Sequence, residues 1–216
     1  MRKTLALCIL AAAPVFLTTA SLSAAETGAM NDSERAYLIE QLEKSKKDFL
    51  ASINGLTEAQ WKFKPAPEVW SVAECSEHIV LAEGFIGGGA QMLLKSPVVE
   101  RPDTSTEEHD HEIVGLVGDR SHKAKAPEQI TPGGTKFATP ADAAAAFIAA
   151  RDKSLEYART TTDALRVHLT KGPVGPMDAY QLLLLMAVHT GRHTLQIQEV
   201  EANPGYPKAT AQLIGH

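Results

Sequence analysis

The chain has 216 residues, of which 44% are hydrophobic and 22% charged, with a net charge of −5 and only two cysteines. That length suffices for one domain with its own core. An acidic balance without a basic stripe argues against a nucleic-acid partner, and two cysteines exclude a disulfide-stapled scaffold.

The N-terminus reads as a secretory signal peptide. Arg2 and Lys3 form a basic start, residues 5–17 are apolar but short for a bilayer span, and Ser21, Ser23, Ala24 and Ala25 supply a small-residue cut site. An uncleaved anchor is the alternative, and the shortness of the run weighs against it. The expected division is a signal peptide over 1–25 and a mature domain over 26–216, with a core from about 32 to 202, located in the periplasm or secreted. No later segment is apolar enough for stable membrane insertion. Cleavage removes Arg2, Lys3 and Cys8 and takes the net charge from −5 to −7. Cys75 then has no disulfide partner and reads as a small buried apolar residue.

The mature chain predicts four long helices. Asn31, Asp32 and Ser33 offer N-cap oxygens, and Leu38, Leu42, Ser45, Phe49, Ile53 and Leu56 recur every three or four residues until Asn54-Gly55 closes the first helix. Thr57 and Gln60 suit a capping box for a single turn, and the following crossing is punctuated by Trp61, Phe63, Pro65, Pro67 and Trp70. Ser71 and Glu74 form the capping box of the second helix, whose inner face carries Cys75, Ile79, Ala82, Ile86 and Leu93, with His78 on its flank. Residues 96–139 lack periodicity apart from a short helical candidate near 105–117, and read as a long crossover with a lid-like part. Thr139-Pro140-Ala141-Asp142 opens the third helix, whose expected seam is Ala144, Ile148, Leu155, Ala158, Thr162, Leu165 and Leu169. Gly172-Pro173 stops it, and Gly175-Pro176 precedes the fourth helix. No segment alternates as a strand should. The expected fold is all-α: a four-helix bundle with a long connection between helices two and three.

The fourth helix contains the feature that asks for chemistry. His189 and His193 are four residues apart in an otherwise apolar stretch, so both rings lie on one face, in the sector of Leu182, Leu185, Met186, Gln196, Ile197 and Val200. Two imidazoles one turn apart on a buried face are half of a metal site. His78, or His109, His111 and His122 in the long connection, are the candidates for a third ligand. Separate core histidines with ordinary hydrogen bonds are the plainer alternative.

The motifs WSVAECSEHI (residues 70–79) and HTGRHTLQI (residues 189–197), together with the Leu56-Thr57…Gln60-Trp61 and Pro65…Trp70 spacing, resemble the DinB-like superfamily and its YfiT-type metal-dependent hydrolases. The resemblance covers about residues 32 to 202. It implies a four-helix bundle, commonly a homodimer, in which His78, His189 and His193 bind a divalent metal such as zinc, nickel or iron; three imidazoles also suit copper. Relatives with known chemistry include thiol-dependent transferases and an isomerase using mycothiol, bacillithiol or glutathione. Those cosubstrates are mainly cytoplasmic, so that activity transfers poorly to an exported chain.

The expected function is an exported, divalent-metal-binding protein, a metal-dependent enzyme of hydrolase or thiol-dependent transferase type acting on a small molecule through a three-histidine site with an open position. A non-catalytic metal-binding or stress-related bundle, or an interaction module, is the alternative. Gln196 is placed to orient a ligand or a histidine, Arg192 reads as a surface or interface residue, and neither substrate nor catalytic residues are identified by the sequence.

Overall fold

Side-chain caps set where the helices start. In the computed structural model, which describes residues 28–99, 106–121 and 125–208, Asn31 caps α1 (Asp32–Ile53), Thr57 caps the short α2 (Glu58–Lys62), and Ser71 caps α3 (Val72–Leu93). Each makes a reciprocal capping box with the residue three positions on: Glu34, Gln60 and Glu74. The connection after α3 contains α4 (Thr106–Gly118) and a 3-10 turn over Glu128–Ile130. Thr139 and Asp142 then box the start of α5 (Pro140–Thr160), with proline in its first turn. The expected signal peptide, His122 and residues 209–216 lie outside the described residues.

Two expectations for the later chain need correction. The third long helix ends at Thr160 and does not run on to Leu169. Thr160, Thr161 and Thr162 are weak helix formers, and Arg35 donates to the carbonyls of Ala158 (2.6 Å) and Thr161 (2.9 Å), satisfying helix-end acceptors from another helix. Its buried line is Ala143, Phe147, Arg151, Leu155 and Ala158, so Ile148 faces solvent. The chain also forms a small antiparallel hairpin that the sequence reading lacked, β1 (Leu169–Gly172) with β2 (Gly175–Asp178), closed by Pro173-Val174. At Gly172 a Cβ would sit 2.2 Å from the Met177 sulfur, so a larger residue there would have to displace that buried side chain. The hairpin delivers Asp178 as N-cap of α6 (Ala179–Glu201), boxed by Gln181.

The four long helices pack as neighbours. α3 and α1 each lie against both α6 and α5, and α4 lies on the outside of α6. The core fills in two clusters. Leu38, Leu42, Ile86, Leu155, Leu183, Leu184 and Met186 belong to one; Phe49, Ile53, Trp61, Val72, Ile79, Phe147 and Ile197 belong to the other.

α4 is docked by charge. Its buried Asp110 accepts from Arg166 at 3.1 and 2.5 Å and from the Gln181 amide at 2.8 Å. Arg166 also donates to Glu34 (2.6 Å) and Asp178 (3.1 Å), and its guanidinium stacks 3.8 Å from the centre of the Tyr180 ring. Asp110→Ala is expected to cost about 1–3 kcal/mol, because it strips donors of Arg166 and Gln181 of their acceptor in a buried place. Hydrogen exchange should quicken in α4 first; a protection pattern there equal to wild type would argue against the docking role.

Candidate metal centre

The capping box at Ser71 fixes the start of α3 and so sets the depth of His78, two turns in and 2% exposed. The box at Asp178 does the same for α6, which brings His189 and His193 to the same place. The ring centroids of His78 lie 4.8 Å from those of His189 and 4.4 Å from those of His193, and the α6 pair are 4.5 Å apart. Nε2 of His78 is 3.1 Å from Nε2 of His189. One nitrogen from each ring lies within 4.8 Å of the others, so the group could hold a metal ion. Ligand nitrogens around a tetrahedral zinc with bonds of about 2.1 Å stand roughly 3.4 Å apart, so only small side-chain adjustments separate the cluster from that geometry.

Two of the rings are oriented from behind. His78 donates from Nδ1 to the Ile130 carbonyl at 2.7 Å, and His193 donates from Nδ1 to Gln196 Oε1 at 2.8 Å. Each bond leaves the Nε2 lone pair for the cluster, as in proteins whose ligating histidines are held by an acceptor on the far nitrogen. Nδ1 of His189 is buried with no partner. Trp70 covers the group, its ring 4.9 Å from that of His78 and stacked at 5.8 Å on that of His193.

Burial keeps the imidazoles neutral. It pushes His193 down to about 2, helped by the neighbouring histidines, and His189 down to about 3, helped by His78 and Arg192. His78 is also lowered by burial, against the opposing effect of its bond to Ile130. Neutral, convergent imidazoles are in the protonation state that a metal requires.

The other sequence candidates stand elsewhere. His109 faces Glu112 Oε2 (3.1 Å) and the Pro176 carbonyl (3.2 Å), while His111 meets Tyr37 edge-on at 5.3 Å. Neither belongs to the cluster. Cys75 is fully buried in the core, where burial pushes its thiol far up and disfavours a thiolate nucleophile, and it does not belong to the cluster. Arg192 acts within the fold: it donates to the carbonyls of Val117 (3.1 Å) and Asp119 at the C-terminal end of α4.

Sequence reasoning missed the contribution of the connection. Ile130 acts through its backbone, which leaves no side-chain signal. Glu77, beside His78, had a faint signal as an acid on an inner helix face; it accepts from the amides of Gly133 (3.0 Å) and Lys136 (3.2 Å) and ties down the segment after Ile130. A shallow groove lined by Gly118, Asp119, Arg120, Leu195, Gln198, Glu199 and Ala202 is separate, since none of the three histidines lines it.

A sequence model described as the DinB superfamily matches residues 41–197, well over half of the chain, including all three histidines. No curated protein and no solved structure shows significant similarity. The chain belongs to the DinB superfamily.

Proposed function

We propose that this member of the DinB superfamily is an exported four-helix bundle that binds one divalent metal through His78, His189 and His193 and uses it as an enzyme, in hydrolytic or thiol-dependent transfer chemistry on a small molecule. The observation that carries the reading is the convergence of three neutral imidazoles, two of them held from behind with Nε2 turned to the cluster. Zinc, nickel and iron(II) suit that donor set. Held by those three residues, such a metal would leave a position open and would supply Lewis acidity, lowering the pKa of a water or thiol or polarising a carbonyl.

The chain's own residues do the positioning. Ile130 and Gln196 fix two rings, and Trp70 keeps bulk water from one side. His189 is less completely buried than His78 and His193, and its side of the cluster is where we place the approach of a small molecule. Among the described residues the one cysteine, Cys75, is locked in the core, so transfer chemistry at this site would draw its thiol from a cosubstrate.

Elemental analysis of the protein purified from its native compartment tests the binding. About one metal per chain is expected, lost in His78→Ala and in His189→Ala while helical circular dichroism persists. A protein that carries no metal, and whose metal uptake and stability His78→Ala leaves unaltered, refutes the reading. Azide or thiol binding to the cobalt-loaded protein then separates an open site from a closed structural one, which binds neither and melts on chelation.

A further inference from the structure

We propose that Arg120 is a positioning residue for this site: its guanidinium fixes the amide orientation of Gln196 and, through it, the tautomer of His193. The consequence for metal affinity rests on the reading above; the tautomer itself does not.

Arg120 follows α4 in a segment that Arg192 holds by the carbonyls of Val117 and Asp119. Its Nε and Nη2 each donate to Glu199 at 2.6 Å, a bidentate pair that fixes the guanidinium plane. Nη1 is thereby turned toward Gln196 Oε1, at 3.5 Å. That same oxygen accepts from His193 Nδ1.

A glutamine amide is nearly symmetric in shape, and its oxygen and NH2 ends trade places unless neighbours decide. If the oxygen faces His193, Nδ1 carries the proton and Nε2 offers a lone pair to the cluster. If the NH2 faces it, Nδ1 becomes the acceptor and Nε2 carries a proton where a ligand is needed. A guanidinium has donors only. At 3.5 Å it makes a long hydrogen bond to an oxygen, but its charge repels an NH2 placed there. His78 needs no such help, because the Ile130 carbonyl cannot exchange acceptor for donor. His193 alone depends on an ambivalent group, and Arg120 removes the ambivalence.

Long-range proton–nitrogen NMR on metal-free protein reads the His193 tautomer directly. The wild type is expected to show protonated Nδ1. Arg120→Ala should add the Nε2-protonated form and weaken zinc binding by about tenfold or more, the usual scale for losing an outer hydrogen bond to a ligating histidine. Adding Gln196→Glu to Arg120→Ala should restore the Nδ1 form, because a carboxylate only accepts; a merely structural role for Arg120 predicts no such rescue. The proposal is overturned if Arg120→Ala keeps pure Nδ1 protonation, or if Gln196→Glu fails to reverse the change. A chain that takes up no zinc would sink the metal reading, while the same spectra still decide this one.

Discussion

Glu83→Ala is expected to destabilise the fold by about 3–5 kcal/mol, the scale for stranding a buried charge. Arg151 is fully buried, and all five of its N–H groups are used. Nε and Nη2 donate to the two Glu83 oxygens, Nη1 to the Leu42 carbonyl and Ser45 Oγ (2.7 Å each), and Nη2 also to Thr190 Oγ1 (3.0 Å). One side chain thus ties together α1, α3, α5 and α6. Removing the carboxylate leaves a guanidinium that cannot shed its proton in the core. Arg151→Met should cost less, since a stranded carboxyl can take up a proton, and the pair Glu83→Leu with Arg151→Met should recover much of the loss. Urea unfolding of the two single variants and the double variant closes the cycle. A Glu83→Ala protein within about 1 kcal/mol of wild type would show that the clasp is not what joins the helices.

That clasp explains where the sequence was legible and where it was not. Capping boxes at Thr57 and Ser71 could be read directly, since cap and partner lie three residues apart, and Thr139 could be read as an N-cap; at the first helix Asn31 stood as one of three candidate caps. So could the seam of α1, where the buried positions are apolar or serine. On α5 a wheel built from apolar residues chose Ala144 and Ile148 and slipped by one position, because the true line passes through Arg151, a residue such a wheel assigns to solvent. The hairpin escaped because its strands have four residues each and carry glycines, proline and charge. At the site, the spacing of His189 and His193 was visible on one helix. Choosing His78 over His109, His111 and His122 needed the family motif, because periodicity does not say which distant residues meet. The same limit hid Arg120 and Ile130, whose roles depend on how the long connection folds back.

Acid should unfold the metal-free protein through these same histidines. A histidine in the unfolded chain titrates near 6.5, whereas burial holds folded His189 near 3 and His193 near 2. Between those limits the unfolded chain binds more protons, so stability is fully present above about pH 6.5 and declines as the pH falls toward the folded values. Each such histidine contributes about 1.4 kcal/mol per pH unit. At pH 4.5 the α6 pair should therefore cost about 4–5 kcal/mol, with the share of His189 reduced because it is the less buried of the two; a whole domain is stable by only about 5–15 kcal/mol. Urea midpoints at pH 7, 5.5 and 4.5 should fall steeply in the wild type and less steeply in His189→Gln/His193→Gln, where the carboxylates common to both proteins cancel. Parallel profiles would show that the buried imidazoles are not the acid-labile groups. With zinc bound, the folded ligands gain no protons near pH 5, so metal should leave together with unfolding. Release well above the unfolding transition would instead mean that the rings are reached by protons in the folded state, and that the site is more open than its burial implies.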